Sequence, residues 1–228
     1  MQQPSDWLAY FLANKNSVRA VTWGGVGVDS EAQRRVLAAS LSHFQLGESG
    51  DGSRMRGLAA KYGEEYLQAV ELFVKEENGH ARLLAEGVAH LGGELTSKHW
   101  TETVFILLRH FLTLRVEVEV LATAEIIGLA FYEMVGERSK DEGVRAMCNI
   151  FLREEKKHLE FDADSIVFLA GRSPGFMFRL ASFKVFVGAI CAAWIDHGPT
   201  LRAYGYSFQD WWKRTYRLYQ TFAMRRDA

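Results

Sequence analysis

Glu77-Asn78-Gly79-His80 and Glu155-Lys156-Lys157-His158 are the two stretches that decide how this chain is read. Each is Glu-x-x-His inside a long segment with helical periodicity. On a helix, residues three apart share a face at about 5–6 Å between Cβ atoms, so a carboxylate and an imidazole on neighbouring turns can hold one metal ion. A lone glutamate precedes each stretch at nearly the same distance: Glu48 lies 29 residues before Glu77, and Glu125 lies 30 before Glu155. In an antiparallel helix pair, residues equidistant from the turn stand at equal height. The midpoint of 48 and 77 falls beside Gly63 and that of 125 and 155 at Lys140, both close to expected turns. The pattern predicts two helical hairpins whose glutamates meet at one level, as a carboxylate-bridged two-metal site inside a four-helix bundle.

The residues around these stretches are apolar at core spacing. Ala69, Val70, Phe73, Ala81 and Leu84 flank Glu77 and His80; Val144, Met147, Cys148, Phe151 and Leu159 flank Glu155 and His158; Val118, Leu121, Ala122, Leu129 and Tyr132 flank Glu125. Ionised carboxylates are costly to bury unless paired or metal-bound. Two divalent cations neutralise four of them, and a carboxylate and imidazole set suits Fe, Mn or Zn. The expected arrangement has Glu77 and Glu155 bridging, Glu48 and His80 completing one metal, and Glu125 and His158 the other.

Metal-bound histidines commonly pass their second ring N–H to a carboxylate. Glu76 is placed to serve His158 and Glu154 to serve His80 across the bundle, with Asp162 a further candidate; the plainer reading leaves Glu76 and Glu154 solvated. Phe44, Phe73, Phe151, Leu129 and Tyr132 are expected to line a dry pocket. Glu119 is a rival to Glu125, on a more polar face with Arg115, Val116 and Thr123. Gly47 and Gly50 beside Glu48 predict a local distortion such as a π-bulge, or else a loop position for Glu48. Tyr66 and Tyr132 read as core tyrosines with satisfied hydroxyls, and Cys148 as core packing. His43, His90, His99, His110 and His197 lack partners at ligand spacing and read as surface or capping residues, and Arg82 and Arg153 as solvated.

The rest of the chain reads as all-α. Its only prolines are Pro4, Pro174 and Pro199, so nothing between Gln33 and Gly171 forbids long helices. Residues 1–29 form an N-terminal arm, irregular or with one short helix. Ser30-Glu31-Ala32-Gln33 is a capping box that starts the first long helix; helical residues resume at Met55 and stop near Gly63. Further helices are expected over about 64–91, 101–135 (ending at Gly136), 142–170 after an Asp141 cap, 176–196 and 208–224. Residues 30–170 would be the bundle, and 171–228 a helical extension packed on it.

Composition excludes several classes. At 228 residues, 48% hydrophobic and 24% charged, the chain has the make-up of a soluble globular protein, and its net charge of −1 gives no argument for DNA binding. Cys148 and Cys191 form no CxxC, so a reducing, cytoplasmic setting is expected. The start lacks a signal-peptide pattern, and the apolar run Val185–Ile195 is too short to span a bilayer. Residues 172–228 carry a balance of +6 and 13 of the 29 aromatic residues, against −7 for the remainder. That tail reads as amphipathic helices packed on the bundle or a homodimer interface; the sharper alternative is peripheral docking on lipid head groups or a polyanion.

The order E–ExxH–E–ExxH, carried by Glu48, Glu77, His80, Glu125, Glu155 and His158, resembles the ferritin-like di-iron carboxylate superfamily. The resemblance covers residues 30–170, about three fifths of the chain. It includes ferritins, rubrerythrins, ribonucleotide reductase small subunits, bacterial multicomponent monooxygenases and acyl desaturases. It implies a ferritin-like four-helix bundle and two iron ions, with Mn/Fe or Mn/Mn as variants. It further implies an oxygenase or oxidase acting on dioxygen or peroxide and a small apolar substrate, fed by an electron donor. Iron storage, ferroxidase or peroxide-detoxifying activity is the second expectation, and a metal-stabilised binding module the third. Glu119 resembles the extra acidic residue that rubrerythrins carry, but no Cys-rich iron domain is present, and the long basic aromatic tail would be awkward in a ferritin cage.

Overall fold

Ser30 opens the first long helix as its sequence dictates: its hydroxyl accepts from the Gln33 N–H, and the Gln33 side chain returns to the Ser30 backbone. The computed structural model describes residues 1–17, 19–99 and 113–228. Among these the chain is all-helical, without strands, in the order α1 (Pro4–Asn14), α2 (Glu31–Glu48), α3 (Ser53–Ala59), a 3-10 turn (Ala60–Tyr62), α4 (Glu64–His90), α5 (Leu114–Arg138), α6 (Glu142–Ala170), α7 (Phe176–Ala203) and α8 (Phe208–Asp227).

Several boundaries differ from expectation for identifiable reasons. The helix α2 carries no bulge; it is α-helical through Gly47 and ends on Glu48 itself. The break falls later, where Gly52 takes the left-handed φ of 64°. Its backbone lies so near Val74 that a Cβ would fall 2.6 Å from the valine methyls. The start expected at Thr101, and His110 with it, lies outside the described residues. The helix α5 does not stop at Gly136 but runs to Arg138. Gly136 is instead a contact point, since a Cβ there would sit 3.0 Å from the Cβ of Cys148. The helix α7 continues past 196 and through Pro199. Its last turn is held by the Thr200 hydroxyl, which donates to the Val36 carbonyl at 2.8 Å and pairs with Ser40 at 2.8 Å. These contacts outweigh the local cost of proline.

The pairings run antiparallel. In one hairpin Arg34, near the start of α2, donates to the carbonyl of His90 at the end of α4 (2.8 Å), while Glu48 at the other end of α2 meets Glu77. In the other, Glu125 meets Glu155 and Tyr132 stacks on Phe151 at 4.5 Å. The hairpins α2/α4 and α5/α6 join through α4 and α6, with α1 laid on α4, α7 on α2 and α5, and α8 on α5 and α6. Among the described residues two apolar clusters result. One gathers Trp7, Phe11, Tyr66, Phe73, Leu129 and Phe161; the other gathers Leu37, Leu41, Leu84, Tyr132, Phe151 and Trp211.

The charge split between body and tail has a local explanation. Arginines of α8 pair with acids of the bundle: Arg214 with Glu137 (2.7 Å), Arg217 with Glu133 (2.9 Å), Arg225 with Asp164 (2.7 Å) and Arg226 with Glu119 (2.6 Å). Glu119 is therefore not on a polar face as expected but buried beside Arg226. The helix α7, at 28 residues, reaches well beyond the apolar run Val185–Ile195, and by length and composition it is long and apolar enough to cross a membrane. Phe176, Met177 and Ile195 on it are exposed.

Candidate metal centre

The two Glu-x-x-His faces meet between α4 and α6. Glu77, His80, Glu155 and His158 offer ligand atoms that all lie within 4.8 Å of one another. Both histidines are fully buried, and each turns Nδ1 toward the carboxylates. His80 Nδ1 lies 2.9 Å from Glu155 Oε1 and 3.8 Å from Glu77 Oε1. His158 Nδ1 lies 2.7 Å from Glu77 Oε1 and 3.2 Å from Glu155 Oε2. The Glu155 carboxylate thus presents one oxygen to each imidazole.

Glu48 and Glu125 complete the set from α2 and α5. Burial and the adjoining Glu77 charge hold the Glu48 carboxyl well above the usual range, so it keeps its proton and donates to Glu77. Burial and the Glu155 and Glu77 charges do the same to Glu125, which bonds to Glu155. Burial acts against ionisation of Glu77 and Glu155 too, but the imidazoles win: His158 lowers Glu77, and His80 holds Glu155 well below the usual range. Burial alone would push His80 down; the carboxylates of Glu155, Glu154 and Glu77 outweigh it and raise His80 to about 9. His158 is likewise held well above its ordinary value, with Glu77 the largest opposing influence. Without metal the six side chains amount to two carboxylates, two carboxylic acids and two imidazoliums. The set is neutral, so charge balance alone does not demand a metal. Two divalent cations replacing those four protons would leave it neutral again.

The metal reading is favoured by convergence. Glu77 Oε1, His80 Nδ1 and Glu155 Oε1 are buried in close ion-pair contacts but make no well-aligned hydrogen bond among the described residues, and the four ligand groups lie within 4.8 Å of one another. Mixed imidazole and carboxylate donors suit iron or manganese, so the residues fit the group that the sequence pattern implies.

The outer nitrogens of both histidines are held across the bundle. His80 Nε2 meets Glu154 Oε2 at 2.9 Å, and His158 Nε2 meets Glu76 Oε2 at 3.0 Å. Glu76 and Glu154 are buried, not solvated. Burial would raise Glu154, but His80 and Arg19 bring it down to about 2. Asp162 does not join them. It is fully buried, neither oxygen has a hydrogen bond among the described residues, and burial holds its carboxyl protonated; Glu76 already occupies the nitrogen it was expected to serve.

Arg19 was not foreseen. From the N-terminal arm its guanidinium reaches both outer carboxylates, Glu154 at 2.5 Å and Glu76 at 3.4 Å, with its side chain only 8% exposed. The same arm brings Phe11 onto His158, at 6.2 Å between ring centroids. No sequence signal marks Arg19, because arm and bundle are linked by tertiary packing and not by spacing.

The five expected pocket residues divide between the two clusters. Phe73 lies against His158 (4.8 Å) in the cluster that holds Leu129. Phe151 lies against His80 (4.9 Å) and stacks on Tyr132 in the other, with Phe44 packed beside them. The Tyr132 hydroxyl, expected to be satisfied, has no hydrogen bond among the described residues and is raised well above its ordinary value by burial and the neighbouring Glu48 and Glu155. The Tyr66 hydroxyl, also expected to be satisfied, has no well-formed hydrogen bond among the described residues; burial raises it, and nearby Ser165 offsets part of the rise. Cys148 fits core packing: it is fully buried, and burial pushes its thiol up to about 12.

The remaining histidines depart from expectation where they are described. His90 bonds Asp141 at 2.7 Å and stacks on Trp23. His197 is buried, and His43 and His99 converge on Asp196. Arg82 and Arg153 are exposed. Comparison of the chain with protein-family models, with curated proteins and with solved structures finds no match in any of the three.

Proposed function

We propose that the chain is a di-metal carboxylate oxidoreductase that uses dioxygen or a peroxide to oxidise a small apolar organic molecule, with iron as the first expectation for the metal. One observation carries this reading: Glu77, His80, Glu155 and His158 converge in the interior, Glu48 and Glu125 close on them, and the outer imidazole nitrogens are already bound. When bound, the metal pair supplies the electrons that reduce dioxygen or peroxide, and an external donor restores them. Glu77, Glu155, His80 and His158 would hold the metal pair, with Glu48 and Glu125 as the further carboxylate ligands.

The protein's own groups do the rest. Glu76, Glu154 and Arg19 fix the tautomer and tilt of both rings, leaving each Nδ1 as the free donor. Phe11, Phe73 and Phe151 cover the histidines and exclude water, which preserves a reactive site from quenching. Tyr132 keeps its proton and offers a buried O–H donor beside Glu48 and Glu155. The apolar surroundings and the buried donor favour oxidation of an organic molecule over iron storage, which needs a hydrated iron path.

The test is metal content together with oxygen consumption. Purified protein reconstituted with ferrous iron should carry two equivalents per chain and consume oxygen within seconds, and Glu77→Ala and His158→Ala should lose both properties. Less than one equivalent, or unchanged metal content in those variants, rejects the reading. Two equivalents without oxygen uptake would leave only a structural site.

A further inference from the structure

Away from the buried centre, three imidazoles surround one carboxylate. His43 is on α2, His99 follows α4, and Asp196 and His197 are on α7. His43 Nδ1 lies 3.0 Å from Asp196 Oδ1, and His99 Nε2 lies 3.3 Å from the same oxygen. The rings of His43 and His99 stack at 3.7 Å between centroids with 25° between planes. His197 Nε2 stands 3.5 Å from Asp196 Oδ2, while its Nδ1 has no hydrogen bond among the described residues. One ligand atom from each of His43, His99 and Asp196 lies within 4.8 Å of the others.

Two stacked imidazoles each aim a nitrogen at one carboxylate oxygen, an arrangement of donors that converges on a cation held at the carboxylate. The surroundings permit entry: His43 is 22% exposed and His99 15%, while Asp196 is 7% exposed. Three protein donors with a face open to solvent leave a position for water, the ligand count of an open zinc site. Two nitrogens to one carboxylate is also a softer set than the carboxylate-rich buried centre. It favours Zn²⁺, Cu²⁺ or Ni²⁺ over Mn²⁺.

We propose that His43, His99 and Asp196 form a second, mononuclear site for a divalent cation of the zinc class, independent of the buried pair and accessible from solvent. His197 backs it, stacked on Phe44 at 4.3 Å and close enough to Asp196 to orient the carboxylate.

The site is tested by counting zinc after equilibrium dialysis of the full chain. Wild type should bind three equivalents, and Asp196→Asn and His43→Gln two each. Manganese, weakest in such a site, should load two equivalents in all three proteins, which also shows that the variants remain folded. If the buried centre is not a metal site, wild type should bind one zinc equivalent, lost in Asp196→Asn, and no manganese; the surface site then stands while the proposed function falls. Equal zinc content in wild type, Asp196→Asn and His43→Gln overturns the proposal. Should Asp196→Asn fail to fold, the His43→Gln and His99→Gln counts decide in the same way.

Discussion

Metal loading should be strongly pH-dependent and should release protons in a countable number. In the metal-free protein His80 titrates at about 9, and His158 is held well above its ordinary value. Both are protonated at pH 7, and both must lose that proton before Nδ1 can bind a metal. At pH 7 the His80 proton, two pH units below its value, weakens metal binding about a hundredfold, or ~2.7 kcal/mol. With His158 added, at least two protons leave per metal pair; Glu48 and Glu125, both raised, bring the ceiling to four. The combined affinity for two metals should therefore rise with pH by about 10² to 10⁴ per unit between pH 6 and 8.

The stability of the metal-free protein should move the opposite way. A raised histidine stabilises the fold fully below its unfolded value of 6.5, and that contribution is lost as pH rises through about 9. For His80 it is about 3 kcal/mol. Calorimetric titration with Mn²⁺ at pH 7 in buffers of different ionisation enthalpy yields the proton count directly. Two to four protons per metal pair is the expected result. Binding of two metals with no proton release would refute the electrostatic reasoning.

Replacing Glu154 or Glu76 by Leu should weaken metal affinity about 10–100-fold, because the imidazole loses the acceptor that orients its ring; Glu154→Gln, which keeps an acceptor, should lose less, as chelator competition will show. Arg226→Met strands the buried Glu119 carboxylate and should cost about 3–5 kcal/mol, a fall of about 6–20 °C in Tm for a chain of this size. Adding Glu119→Leu to Arg226→Met should recover most of that loss in the same thermal melt. Gly136→Ala places a Cβ 3.0 Å from that of Cys148 and should destabilise by about 1–2 kcal/mol in denaturant unfolding, the overpacking cost exceeding the helix-propensity gain.

The hairpin geometry was legible because it depends on spacing within helices. Equal heights for Glu48 with Glu77 and for Glu125 with Glu155 follow from turn positions that Gly63 and Asp141 announce locally. The cross-bundle partners Glu76 and Glu154 were legible for the same reason, each being adjacent in sequence to a ligand-face residue. What escaped depends on contacts between distant segments. Arg19 lies in an arm whose path over α4 no periodicity reveals. His43, His99 and Asp196 come from three separate elements, and each looks solitary in its own helix or loop. Glycine is an ambiguous signal at two positions: Gly136 does not stop its helix but permits close approach of Cys148, and α2 passes through Gly47 without a bulge. Neutrality of the inward acids does not by itself require metal, because four protons serve as well as two cations; it is the convergence of Glu77, His80, Glu155 and His158 on one site that favours the metal reading.

Anomalous scattering from a crystal grown with manganese or iron tests the central claim most directly. The account predicts two peaks per chain, about 3.5–4 Å apart, between Glu77 and Glu155 with Nδ1 of His80 and His158 turned toward them. No peak there, or a structure in which Glu48, Glu77, Glu125 and Glu155 stand apart or in solvent, would contradict it.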